Sequence, residues 1–361
     1  MAHLIYQTAF IGDLLLTTPL IREFRQLYPK DQIVLACRKG GGELFKTLGL
    51  VDEVIEIDKS KSGAQSEFES RLRQSSYQNI ICAHQSFRTH KLMLTLKAER
   101  KIGYRQWWNS FIFHDRVRRP LHLPEALRLL ALLQPLSEEF KTKFERAVSS
   151  GVQNNLKMQT SVREWPALIP YFASMEIDLK TESHQQKIKD VLAKFKIQQP
   201  AVFIAPGSVW ATKKWTEDHY QDLCRRLIHK GFKIYLTGSP AEVAVCERIA
   251  AGVGSPGALI NLAGQTSIPD LFYLYSQGEY LIANDSSPIH LAAMSAAKTI
   301  AIFGPTTLSL GYRPWNDKAR VAQIELICRP CGAHGHNKCP IGTHDCMKKL
   351  GAQHVMQLMT S

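Results

Sequence analysis

The 361-residue chain lacks any apolar run long enough to cross a bilayer, a span that takes about 20 consecutive apolar residues. Its start, Met1-Ala2-His3-Leu4-Ile5-Tyr6, has no charged stretch followed by an apolar core and a cleavage site. That segment reads as a first strand, and a cytoplasmic protein is the expectation. Three motif classes are also missing. No Gly-x-x-x-x-Gly-Lys-[Ser/Thr] is present, which excludes a P-loop NTPase. No Gly-x-Gly-x-x-Gly follows the first strand, which argues against a dehydrogenase, and no Gly-x-Ser-x-Gly marks a nucleophile elbow. Acidic residues are the scarcer charge: 32 Asp and Glu stand against 45 Lys and Arg, a formal net charge of +13. This excess favours an anionic partner, such as a phosphorylated substrate or a lipid surface. No recognised nucleic-acid module or tandem repeat occurs, so nucleic acid is not the expected partner.

What the chain does contain is strand–helix alternation, twice over. Short apolar strands are expected at His3 to Thr8, Gln32 to Ala36, Val54 to Ile57 and Asn79 to Cys82, with helices from Leu14 to Leu27 and Leu123 to Leu133. Regularity fades from Ser149 to Glu182, around Pro166 and Pro170, and resumes with a helix at Gln185 to Phe195. Strands follow at Ala201 to Ala205, Lys233 to Leu236, Leu259 to Asn261, Tyr280 to Ala283 and Thr299 to Phe303. The helices between them are Glu217 to His229, Ala241 to Ala251, one from Ile268 and one from Pro288. Such alternation predicts α/β architecture with parallel sheets covered on both faces. Two doubly wound domains are expected, residues 1–172 and 173–361, facing a central cleft.

The suggestive residues fall at strand C-termini, where open α/β sheets bind ligands. These are Gly12-Asp13, Pro206-Gly207-Ser208, Gly238-Ser239-Pro240, Asn284-Asp285-Ser286 and Gly304-Pro305-Thr306. Ser286 or Ser287 can cap the Pro288 helix, whose N-terminus offers amide groups and a positive dipole end to an anion such as a diphosphate; an ordinary strand-to-helix turn has the same pattern. Asp13 reads as a first-turn helix acid or as a carboxylate base. Lys213 and Lys214 read as a solvated loop pair or as cations for a phosphate leaving group, and Trp215 as a packing anchor. Glu242 either complements a helix dipole or hydrogen-bonds a ribose. His290, four residues past Ser286 on one helical face, is a core histidine or a phosphate contact.

Of eight cysteines, Cys37, Cys82, Cys224 and Cys246 lie in apolar or helical segments and read as buried. Cys328, Cys331, Cys339 and Cys346 are spaced Cys-x2-Cys-x7-Cys-x6-Cys, with His334, His336 and His344 between them. The cluster could hold a structural zinc or iron, and free thiols tying down a loop are the alternative. Between Arg100 and Arg119, Arg100, Lys101, Arg105, Arg116, Arg118 and Arg119 alternate with Trp107, Trp108, Phe111 and Phe113. This stretch reads either as a docking surface for an anionic acceptor or as an aromatic-packed helix with a solvated basic face.

Together, Ile11-Gly12-Asp13 with Pro19, Gln85 to Arg88, Lys101 to Tyr104, Pro206 to Ser208 with Lys213-Lys214-Trp215, Gly238 to Glu242, Asn261 to Gly264, Asn284 to Ser286 with His290, and Phe303 to Thr306 resemble glycosyltransferase family 9. That family contains the ADP-heptose:lipopolysaccharide heptosyltransferases, and the cysteine-rich tail is similar to those of the heptosyltransferase II-like branch. The resemblance implies a GT-B fold of two Rossmann-like domains, acceptor on the first and nucleotide sugar on the second. It implies inverting transfer of heptose from ADP-heptose to the lipopolysaccharide inner core, with no cofactor required for catalysis, by an enzyme lying peripherally on the anionic cytoplasmic face of the inner membrane. By motif position, Asp13 beside Gly12 would be the general base. Lys213 would contact the diphosphate or sugar, Glu242 the ribose, and Ser208, Asp285, Ser286, Ser287 and His290 would line the donor pocket. Ser287 stands where the family usually has glycine, and Gln7 where arginine is common. A different nucleotide sugar on the same scaffold, or a non-catalytic polyanion-binding scaffold, are the competing functions.

Overall fold

The structure is a computed structural model and describes residues 1–154 and 174–360. They form two compact units. The expected boundary at residues 172 and 173, with Pro166 and Pro170, lies outside the described residues.

In the first unit, β1 (Ala2–Gln7), β2 (Gln32–Arg38), β3 (Glu53–Ile57), β4 (Ser76–Cys82), β5 (Lys97–Tyr104) and β6 (Asp115–Val117) form one parallel sheet in the order β3-β2-β1-β4-β5-β6. In the second, β7 (Ala201–Ala205), β8 (Lys233–Leu236), β9 (Leu259–Asn261), β10 (Tyr280–Asn284), β11 (Thr299–Ile302) and β12 (Ala319–Ala322) repeat the pattern as β12-β11-β10-β7-β8-β9. Both units thus have the doubly wound order in which the chain reverses direction across the sheet beside its first strand. Because helices cover both faces, central strands are apolar on both sides. Leu4 and Ile5 of β1 are buried, as are Val202 to Ile204 of β7 and Leu281 to Ala283 of β10. Register places Leu4 beside Val34 and Ile80, and Ile282 beside Ile204 and Ile300.

Several helices differ from their expected extents for local reasons. The stretch Leu14 to Leu27 is two helices, Ile11–Leu15 and Thr18–Leu27, because Pro19 lacks an amide hydrogen and suits a first turn. Leu123 to Leu133 is a helix at Glu125–Leu130 that tightens into a 3-10 turn at Ala131–Leu136 around Pro135. Another helix, Glu138–Asn154, runs into the region expected to be irregular. The basic, aromatic stretch is not helical: Lys97–Tyr104 is β5, turns follow, and Asp115–Val117 is β6. Charged residues alternate with small and apolar ones there, which hides a strand near a sheet edge.

Candidate functional site

In the first unit, the turn after β1 delivers Asp13 to the first turn of Ile11–Leu15, with Gly12 beside it. Burial raises the Asp13 carboxyl to about 6, and the negative charge of Glu125 adds to the shift. The amide of Phe10 and the Arg119 guanidinium oppose it. Glu125 is held by Arg119 (2.6 and 2.7 Å) and Arg128 (3.1 Å). Arg119 also lies over the Tyr104 ring, 5.5 Å from its centre. Asp13 is therefore ionised at neutral pH yet basic enough to accept a proton, the condition for a general base.

Sequence reasoning missed the cations at the same sheet edge. Arg38 ends β2, Lys59 follows β3 and Arg88 follows β4. Lys59 donates to the Thr8 carbonyl (2.6 Å), and its ammonium is lowered by burial and by the charges of Arg38 and Arg88. Crowded like charges of this kind are relieved by an anion. Arg38 and Lys59 carry no motif, and Arg88 belongs to the Gln85 to Arg88 motif, which gives it no role by itself.

In the second unit, the turns after β7, β10 and β11 meet. Lys213, in the 3-10 turn Ala211–Lys213, places Nζ 2.6 Å from Asp285 Oδ2, and both side chains are largely buried. The Thr306 hydroxyl donates to the same oxygen at 2.6 Å. Lys213 is thus not a solvated loop residue. The carboxylate of Asp285 holds both Lys213 and the Thr306 hydroxyl. An ammonium has three donors, so Lys213 can keep Asp285 and still reach an anion.

Asn284, ending β10, binds the segment after β7 and the helix Glu217–His229. Its Nδ2 donates to the carbonyls of Pro206 (2.7 Å) and Gly207 (3.3 Å), and its Oδ1 accepts from Trp215 N (3.1 Å) and the Tyr220 hydroxyl (2.9 Å). Trp215 is a packing anchor as expected, buried, with Nε1 donating to Leu350 O at 2.7 Å. Ser286 occupies the N-cap of the helix Ser287–Met294, but its hydroxyl faces Gly207 O and Asn284 O and does not cap the first turn. Pro288 is in that first turn, and Ser287 is half-buried beside it. His290 is buried, its imidazole lowered to about 4 by burial, so it is neutral, and its Nδ1 has no hydrogen-bond partner among the described residues. The Ser208 hydroxyl accepts from Trp210 N at 3.3 Å.

Glu242 closes a capping box: its Oε2 accepts from Ser239 N (2.7 Å) and Ser239 Oγ (2.9 Å). A Cβ on Gly207 would lie 1.6 Å from Glu242 Oε1, so glycine is required for this close approach. The carboxylate is fixed beside the turn after β7.

Cys37, Cys82, Cys224 and Cys246 are buried free thiols. Cys328, Cys331, Cys339 and Cys346 are also unpaired. Among the described residues no three His, Cys, Asp or Glu side chains are gathered so as to hold a metal ion.

Half of the expected basic and aromatic docking set is engaged internally. Arg100 pairs with Asp115 (2.5 Å), Lys101 donates to Met93 O (2.7 Å), Arg119 binds Glu125, Phe113 is buried, and Trp108 packs on His90. Trp107 and Phe111 are 92% and 72% exposed, with Arg105, Arg116 and Arg118 also exposed. No helix among the described residues is long and apolar enough to cross a membrane.

The model of glycosyltransferase family 9 (heptosyltransferase) matches residues 66–340. The chain is 25% identical over 341 residues to lipooligosaccharide heptosyltransferase 2 of Haemophilus ducreyi, covering 91% of this chain and 89% of that protein. Its fold is similar to Escherichia coli ADP-heptose lipopolysaccharide heptosyltransferase II (TM-score 0.74, 18% identity, 100% of this chain and 98% of that one). It is also similar to an Escherichia coli heptosyltransferase solved with ADP-2-deoxy-2-fluoro heptose (TM-score 0.67, 17% identity, 100% and 99%).

Proposed function

The chain belongs to glycosyltransferase family 9, and from that premise we propose that it transfers heptose from ADP-heptose to a lipopolysaccharide inner-core acceptor with inversion. The observation that carries this reading is the Lys213–Asp285–Thr306 group beside the uncapped start of Ser287–Met294. A buried carboxylate holds one cation where an amide-rich helix end also points.

In the proposed reaction the acceptor oxygen attacks the anomeric carbon, the bond from that carbon to the diphosphate oxygen breaks, and ADP leaves with the electron pair. The acceptor proton passes to Asp13. Lys213 and the amides of the Ser287 turn stabilise the charge that builds on the diphosphate. Glu242, fixed by Ser239, takes the ribose hydroxyls, and neutral His290 acts as a hydrogen-bond partner and not as a cation. Ser208, Ser286 and Ser287 line the donor site, with Ser287 allowing less close an approach than glycine. Gly12 lets the acceptor approach Asp13, and Arg38, Lys59 and Arg88 receive its acidic groups. No cofactor enters this chemistry.

Calorimetric titration with ADP, UDP and GDP tests the donor. Selective ADP binding, strongly weakened in Lys213→Ala and weakened in Glu242→Ala, is expected. A preference for UDP or GDP would replace the donor and keep the scaffold.

We also infer that Cys328, Cys331, Cys339 and Cys346 take up a structural zinc or iron once their thiols rotate toward one another. What supports this is the spacing Cys-x2-Cys-x7-Cys-x6-Cys and the turn that brings Cys331 Sγ to Cys328 O at 3.0 Å. Elemental analysis of protein purified without chelator should find about one equivalent of metal; much less would contradict the inference.

A further inference from the structure

The two partners of Asp285 stand on separate turns, and one segment, Cys328 to Cys346, grips both. Thr212, the residue before Lys213, is buried and has every polar group engaged by that segment. Its amide donates to His336 O (3.0 Å). Its hydroxyl accepts from His336 N (2.8 Å) and donates to His336 O (2.9 Å). Its carbonyl accepts from His344 Nε2 (2.8 Å). Gly335, at φ +88°, lies where a Cβ would be 3.3 Å from Lys213 Cγ, so the segment runs beside the lysine stem with no room for a side chain there.

On the other turn, the Arg329 guanidinium donates to the carbonyls of Gly304, Ile324 and Thr306 and to Gln323 Oε1. Cys331 N donates to Pro305 O at 2.9 Å. The segment is itself braced, since His336 Nε2 donates to Cys331 O at 2.8 Å.

We propose that the cysteine-rich segment is the positioning element of the donor diphosphate site, with His344 a positioning residue that sets Lys213 through Thr212. This rests on the reading of Lys213 as the diphosphate cation. A flexible lysine must otherwise be ordered when the ligand binds, at a cost in affinity that a braced turn removes. The segment also fixes Thr306, so Asp285 keeps both partners in place before the anion arrives.

The test is calorimetric binding of ADP and of adenosine to the full chain and to Lys213→Ala, His344→Ala, Thr212→Val and the His344→Ala/Lys213→Ala double variant, with thermal unfolding as a fold control. The expected result is a loss of ADP affinity of about 5- to 20-fold in His344→Ala and Thr212→Val. Adenosine binding should stay within twofold, and the double variant should be no weaker than Lys213→Ala alone. His344→Gln, which retains a donor, should recover most of the affinity. Unchanged ADP binding in both clasp variants, parallel loss of adenosine, or additive losses in the double variant would overturn the proposal. ADP affinity unchanged in Lys213→Ala would instead overturn the donor-site reading on which it rests.

Discussion

Asp13 and Lys213 show how far a residue's type leaves its role open. By type alone Asp13 reads first as an ordinary helix acid and Lys213 as a solvated loop cation; burial and neighbours give each a different character. With its carboxyl at about 6, Asp13 in the folded chain holds a proton that the unfolded chain has already released at the same pH. Protonation therefore stabilises the fold fully below about pH 4, and that stability is lost as pH rises through 6. Asp13→Asn removes the titration. We expect turnover to fall by about 10²–10⁴ while stability at pH 7 rises by about 2–3 kcal/mol, measured by denaturant unfolding. Activity of the parent chain should rise with pH along a limb centred near 6 that the variant lacks. The Asp13 and Lys213 positions were legible from the sequence through their motifs. The partners that give them character, Glu125, Arg119, Thr306, His336 and His344, were not, because each acts from a distant stretch through folding alone.

At the scale of elements, the second unit was the more legible. Its strands β7 to β10 are short apolar runs ended by Gly, Ser or Asn, and the helix Glu217–His229 begins at a Thr cap, Thr216, whose hydroxyl accepts from His219 N. The strands β5, β6 and β12 escaped because charged residues interrupt them, as edge or near-edge strands allow. Proline broke helices that apolar periodicity alone had run together. Asn284 stands at a strand end for a reason that periodicity does not carry: fully buried, it ties the turn after β7, the Trp215 amide and the helix Glu217–His229 to β10 through four hydrogen bonds. Asn284→Ala would leave a buried amide, hydroxyl and two carbonyls short of partners. We expect a loss of about 3–4 kcal/mol in denaturant unfolding, with ADP affinity falling in step because the Lys213 turn loses its anchor. An unchanged unfolding midpoint would show that the turns are held by other means.

At the scale of the molecule, we propose that the net charge of +13 and the exposed Trp107 and Phe111 beside Arg105 let the chain dock on an anionic lipid surface. Aromatic rings enter such an interface while arginines meet the head groups. Trp107→Ser/Phe111→Ser should bind phosphatidylglycerol-containing vesicles several-fold more weakly than the parent chain, with ADP affinity unchanged. The parent's vesicle binding should also weaken as salt is raised. Failure of the parent to sediment with anionic vesicles at low salt would remove the membrane reading. Two repeated Rossmann-like units explain why the whole fold could be anticipated from alternation, whereas the substrate depends on a few turns. The most direct test is therefore transfer itself: ADP-heptose and a heptose-deficient lipopolysaccharide core are incubated with the parent chain and with Asp13→Asn, and the glycosylated product and released ADP are measured. The account predicts one heptose added per ADP released, with inverted anomeric configuration, and little product from the variant. Transfer from a UDP- or GDP-sugar instead, or equal turnover by both chains, would contradict it.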